Sequence, residues 1–336
     1  MKQHRLRLPA MFLLAAVSAM CQHPPPLKLV QTISLPANIK GHFDHFGVDL
    51  KHHRLFATPE EFHAVLVFDL TTGKFSHTIP GIARPHAILY REDLNRIYVT
   101  DGTDGALKIF EGDTYAPLAS VKLLADADSI GYDPVTHYLY IDNGGGDVHE
   151  TYSMLSIVDT TAAKKLADIK IDGETLEAMA LETASSKVYV NNRKRNQVSV
   201  IGRNRRTVLA SWSVTKGTDN VAMALDEADH RLFVACRSGQ VVVIDTETGQ
   251  EMQALPITKG VDDMVYNRAS QRLYAACDGT VDVYKQIDAG HYESIGKVIT
   301  GPGAKTALLV PELNRYFVAA PQHGNEDARI LVYAVQ

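Results

Sequence analysis

The sequence predicts an all-β fold: a seven-bladed β-propeller of four-stranded blades, its ring closed by the N-terminal strand completing the last blade. Three observations lead there. First, the short β-prone phrase Arg96-Ile97-Tyr98-Val99 recurs as Arg54-Leu55-Phe56-Ala57, Tyr138-Leu139-Tyr140-Ile141, Lys187-Val188-Tyr189-Val190, Arg231-Leu232-Phe233-Val234, Arg272-Leu273-Tyr274-Ala275 and Arg315-Tyr316-Phe317-Val318. Second, the aromatic residues of successive copies lie 41 to 49 residues apart, a period that belongs to propeller blades. Third, the two ends of the chain are complementary parts of one unit. Leu27 to Leu35 resembles the last strand of each repeat, and the chain stops after Ile330 to Ala334, which resembles only the third. Pairing the two closes the ring and removes an open sheet edge that would invite association.

Each unit reads as four strands, A to D. In the fifth they are centred on Val221 to Leu225, Leu232 to Ala235, Gln240 to Ile244 and Glu251 to Leu255. β-Branched and aromatic residues fill these runs, and turn residues bound them. The A–B turns are short and alike, as in Asp93-Leu94-Asn95 and Asp226-Glu227-Ala228-Asp229. So are the C–D turns, as in Thr72-Gly73-Lys74 and Thr248-Gly249-Gln250. The B–C and D–A loops share the other face of the disc, and they differ. From the B aromatic to the end of strand C is 13 residues in the first two units but 19 in the third, where Asn143 to Glu150 is inserted. The seventh unit carries the long loop Pro321 to Arg329. Elaboration confined to one face marks that face for a partner. Gly144-Gly145-Gly146 lacks the strand–helix setting of a phosphate loop and reads as a flexible stretch.

The repeat runs almost end to end, so the 336 residues form one domain, 28–336, after a Pro-rich linker at 22–27. A content of 45% apolar and 22% charged residues is that of an ordinary globular protein, and the net charge of −5 offers no broad attraction for nucleic acid or anionic membrane. Residues 1–21 read as a secretory signal peptide. Lys2, Arg5 and Arg7 precede an apolar run from Leu8 to Ala19, and Val17-Ser18-Ala19 offers a cleavage site near 19–21. That run is too short to span a bilayer. The expectation is therefore an exported protein, periplasmic or extracellular, monomeric, with no transmembrane helix. Cys21 stands where a lipid anchor could be attached, although Met20 is a poor residue before a lipidated cysteine. Cys236 and Cys277 occupy equivalent places in successive repeats and read as two buried small residues rather than a disulfide.

Ile97-Tyr98-Val99-Thr100 and its repeats resemble the YVTN-type β-propeller repeat of exported bacterial proteins. Phe43-Asp44-His45, Asp126-Ala127-Asp128, Asp262-Asp263 and Val310-Pro311-Glu312-Leu313-Asn314-Arg315 are further phrases of that kind, and the resemblance covers Lys28 to Gln336. It implies the propeller fold and export, and it assigns no activity. The Gly-His and Trp-Asp signatures of the WD type are missing, which weakens an intracellular scaffold reading.

Chemistry is expected at the start of the A strands, which point into the central channel at the elaborated face. Aligning them places Asp44, His45, His86, Asp128, Glu177, Asn220, Asp262, Asp263 and Lys305 near one ring, with Arg84, Arg193 and Arg237 on adjoining loops. Polar walls would also suit a water-filled throat, but clustered carboxylates repel unless a cation, proton or ligand amine sits between them. Glu177, Asn220 and Asp262 form a candidate oxygen-ligand set for Ca²⁺ or Mg²⁺, whereas His45 and His86 suit Zn²⁺ or Cu²⁺. His42 and His45 form an H-x-x-H that could share a metal only in a loop. No nucleophile elbow or zinc-protease motif occurs.

The leading expectation is an exported, non-enzymatic binding protein with a small-ligand or protein-partner site at the elaborated face. The alternative is a divalent-metal-dependent lactonase or lyase using Glu177, Asn220 and Asp262, in which a cation would polarise a carbonyl and activate water. A purely structural repeat protein is the third reading, and the charged ring speaks against it.

Overall fold

The computed structural model describes residues 24–336. The signal-peptide and Cys21 expectations lie outside the described residues, as do the first two residues of the linker. Seven four-stranded antiparallel sheets form the blades. Their A strands are Phe43–Asp49, Pro85–Arg91, Ile130–Asp133, Leu176–Leu181, Asn220–Asp226, Asp263–Asn267 and Thr306–Val310, in blades 1 to 7. Blade 7 is completed by the N-terminal strand Leu27–Ser34, which pairs antiparallel with Arg329–Val335. No helix among the described residues is long and apolar enough to cross a membrane.

The repeated aromatic has one job in every blade. Phe56 packs with Ile88, Ile97 and Val99 of blade 2, and Tyr98 packs with Leu139 and Ile141 of blade 3. Tyr140, Tyr189, Phe233 and Tyr274 each face the following blade in the same way. Phe317 of blade 7 packs with Leu55, Leu66 and Phe68 of blade 1. Seven apolar clusters thus fill seven blade–blade interfaces, and the ring closes through the last. Burying one such ring stabilises the disc by about 3–5 kcal/mol, judged by what its truncation to alanine costs.

The A strands are not regular where they enter the channel. In blade 1 the pairing with strand B jumps from Phe43↔Pro59 to Phe46↔Ala57, so Asp44 and His45 together oppose Thr58. Blade 2 jumps from Pro85↔Asp101 to Ile88↔Val99, setting His86 and Ala87 against Thr100. Blade 4 jumps from Leu176↔Asn192 to Met179↔Val190, setting Glu177 and Ala178 against Asn191. Two residues opposite one is a β-bulge, which bends the strand and re-aims its side chains. The freed backbone groups are satisfied by the opposing hydroxyl: Thr58 Oγ1 accepts from His45 N (2.8 Å), and Thr100 Oγ1 accepts from Ala87 N (2.8 Å). These bulges let the adjacent Asp44 and His45 both face the channel, which a regular strand forbids.

The glycine run of blade 3 is ordered rather than flexible. Gly145–Val148 forms a single 3₁₀ turn. A side chain on Gly145, whose φ is +70°, would stand 2.1 Å from the Glu174 carbonyl oxygen. Gly145 is glycine because two backbones meet there. Cys236 and Cys277 are both free and buried, as expected.

Candidate functional site

The elaborated face opens into a polar mouth of about 230 Å³ at the top of the central channel. Twelve of its sixteen lining residues are ionisable, and every blade supplies at least one. Asp44, His45, His86, Asp128, Glu177, Asp262, Lys305, Arg84, Arg193 and Arg237 all line it, as the sequence predicts. Asp263 lies just below. It borders a second, more apolar section of about 330 Å³ that shares His45, Ser129 and Ala178 with the mouth. Asn220 does not join them. It is fully buried, and its amide donates to Asn191 Oδ1 (2.7 Å) and the Gln197 carbonyl (3.0 Å). Asn220 pairs with Cys236 as Pro85 pairs with Asp101 and Leu176 with Asn192, so the blade 5 residue at the level of His86 and Glu177 is Val221, which lines the mouth. The set Glu177, Asn220 and Asp262 is therefore not assembled as a ligand cluster. His42 is exposed and apart from His45, so H-x-x-H forms no pair. His52 and His53 are exposed on the uniform face, as expected.

The mouth is divided by charge. On the side of blades 4 to 7, cations and carboxylates are interleaved. Arg193 reaches Glu177 (3.0 Å) and Asp219, and Arg237 and Lys305 share Asp262, the lysine at 3.0 Å. Burial raises the Glu177 carboxyl against the pull of Arg193 and Arg237, to about 7. At the rim Arg84 holds Glu60 at 3.0 Å. Glu60 and Asp219 went unpredicted. Glu60 opens a B–C loop directly after Pro59, outside the A-strand alignment, whereas Asp219 stands one residue before the aligned Asn220.

The side of blades 1 to 3 carries carboxylates and imidazoles, with one guanidinium, Arg84, at the rim. His86 is buried, and its Nδ1 hydrogen-bonds Asp44 and lies 3.6 Å from Asp128. His45 Nδ1 is 3.2 Å from Asp263, and its other nitrogen is 3.8 Å from Asp44. Burial works against charge on His86, but Asp128 and Asp44 outweigh it and raise the imidazole to about 9. Burial likewise opposes charge on His45, and Asp44 and Asp263 hold it well above the usual range. Asp44 moves the other way. Burial would raise it, yet His45 and His86 keep it well below the usual carboxylate range. Burial holds Asp128 well above that range, with His86 opposing and Asp44 and Glu177 adding to the rise.

A larger cleft, about 510 Å³, lies elsewhere, on the uniform face between blades 3 and 4. Its half-buried cation, Arg203, is spent on Asp133 (2.7 Å) and on the carbonyls of Glu182 and Ser185. With that cation occupied, the mouth and its twelve ionisable groups are the better candidate site.

No family model matches the chain and no curated protein matches its sequence. Solved structures do match in shape. A chain in a crystal structure of a mitotic checkpoint complex superposes with a TM-score of 0.75 at 11% identity, covering 100% of this chain and 99% of that one. Hydrazine synthase from Kuenenia stuttgartiensis superposes with a TM-score of 0.73 at 14% identity, covering 90% and 98%. At such identities the likeness is one of fold alone, and the fold is a seven-bladed β-propeller.

Proposed function

We propose that the protein binds a small, strongly polar ligand in the channel mouth, and that it does so outside the cytoplasm as a YVTN-type propeller. The export part rests on the N-terminal sequence and the repeat resemblance. The binding part rests on one observation: the mouth is polarised. Arg193, Arg237 and Lys305 stand on one side, and Asp44, Asp126 and Asp128 on the other. Such a site complements a ligand that presents an anionic group toward blades 4 to 7 and positive charge toward blades 1 to 3. A cavity of about 230 Å³ suits a small molecule better than a protein loop. The hydrolase reading loses ground because Asn220 has left its proposed ligand set.

The test is a thermal-shift panel of α-amino acids, short dicarboxylates and diamines on the purified protein. Zwitterions and carboxylates are expected to raise the melting midpoint, and Arg237→Ala should abolish the rise. That variant leaves Asp262 its lysine partner, so the fold is kept. A rise of equal size in Arg237→Ala would place binding elsewhere.

A further inference from the structure

The carboxylates on the side of blades 1 to 3 lack compensation. Asp44, Asp126, Asp128 and Asp142 have no lysine or arginine ion pair among the described residues; His45 and His86 stand among them, and Arg84 at the rim is paired with Glu60. Three of these groups converge. Asp44, His86 and Asp128 each offer a ligand atom, and the three atoms lie within 4.8 Å of one another. Zinc bonds of about 2.0–2.1 Å would set tetrahedral ligand atoms about 3.3–3.5 Å apart, so little movement is needed. An independent observation points the same way. Asp142, on strand B of blade 3, is 2% exposed, and its Oδ1 has no hydrogen-bond partner. The charges it feels most are those of Asp128, Asp126 and Glu177. A buried carboxyl oxygen without a partner, set beside a converging Asp–His–Asp group, is a polar atom that a bound cation would satisfy.

We propose that Asp44, His86 and Asp128 bind one divalent transition-metal ion at the channel mouth. One imidazole nitrogen with two carboxylates is a mixed donor set that suits Zn²⁺, whereas Ca²⁺ takes six to eight oxygens. Three protein ligands leave a position open toward the mouth. The ion would replace the proton of His86 as the positive charge beside Asp44 and Asp128, and an anionic ligand would then bridge it to Arg193 and Arg237. The inference takes its location from the ligand-site reading and names the cation in it. If the ion does not bind, a ligand amine fills that role instead and the ligand-site reading stands.

The experiment uses Zn²⁺ alone, with no organic ligand present, so the two readings fail separately. Protein stripped with EDTA is titrated with zinc chloride by calorimetry, with circular dichroism confirming the fold of each variant. Wild type should take up one equivalent. His86→Gln and Asp128→Asn should each weaken that uptake at least about tenfold, while Asp113→Asn, in an exposed C–D turn of blade 2, keeps it. Asp128→Asn preserves side-chain volume and removes a repulsion from Asp44, so it carries the test even if His86→Gln does not fold. Absence of stoichiometric uptake by wild type overturns the proposal. So does uptake that survives Asp128→Asn, which would assign the zinc to surface histidines.

Discussion

Gly102 lies against the imidazole of His86: a side-chain carbon on Gly102 would stand 2.6 Å from Nε2 and 2.8 Å from Cδ2. The ring cannot retreat freely, because its other nitrogen is held by Asp44. Gly102 opens the B–C loop of blade 2, and its absent side chain is what lets His86 sit where Asp44 and Asp128 meet. Gly102→Ala is therefore expected to cost about 1–3 kcal/mol in urea unfolding, as overpacking does. In a double-mutant cycle with His86→Ala most of that cost should vanish. Additive costs would show that the glycine acts through something other than this ring.

Glu177 gives the mouth a pH dependence with a definite sign. Its carboxyl is raised by burial from 4.5 to about 7 despite Arg193 and Arg237, with Asp262 adding to the rise. A group that holds its proton more tightly when folded contributes stability that is full below about pH 4.5 and is lost as pH rises through about 7. The melting midpoint of wild type should fall more steeply between about pH 5 and pH 8 than that of Glu177→Gln. Parallel curves would mean that Glu177 is ionised throughout.

Ring closure depends on the strand Leu27–Ser34, which carries the buried side chains of Leu27 and Ile33. Ile33 packs in the same cluster as Phe317, Leu55 and Phe68. Ile33→Ala should cost about 2–5 kcal/mol, measured by chemical denaturation. Deleting the strand would expose the edge of Arg329–Val335, and light scattering should then report association. A monomeric deletion variant with unchanged stability would contradict closure by this strand.

Cys236 and Cys277 should be silent in the folded protein. Both are fully buried, and burial raises the Cys236 thiol to about 12. A thiol reagent should label neither at neutral pH until denaturant is added, and then should label both. Rapid labelling of the native protein would show that these blade interfaces open.

The disc was legible in the sequence because each blade must solve one packing problem, and Phe56, Tyr98 and their counterparts solve it alike. The ring of ionisable groups was legible for the same reason, since position within the repeat sets depth in the channel. What was not legible depends on departures from the repeat. The bulges that bring Asp44 and His45 to one side, and the pairing of Asn220 with Cys236 that buries it and leaves Val221 at the mouth, change the facing of single residues without changing the pattern around them. Pairings between blades were equally hidden. That Asp44 of blade 1 meets His86 of blade 2 and lies near Asp128 of blade 3 is decided by ring curvature, not by local sequence.

The central claim is that the mouth, and not the larger cleft on the opposite face, is the binding site. Calorimetry of whichever amino acid or dicarboxylate most stabilises the protein tests it most directly, run on wild type, Arg237→Ala at the mouth and Arg206→Ala in the opposite cleft. Affinity should fall at least about tenfold in Arg237→Ala, as expected for removal of a charged hydrogen-bond donor, and stay unchanged in Arg206→Ala. Loss of binding in Arg206→Ala with full affinity in Arg237→Ala would contradict it.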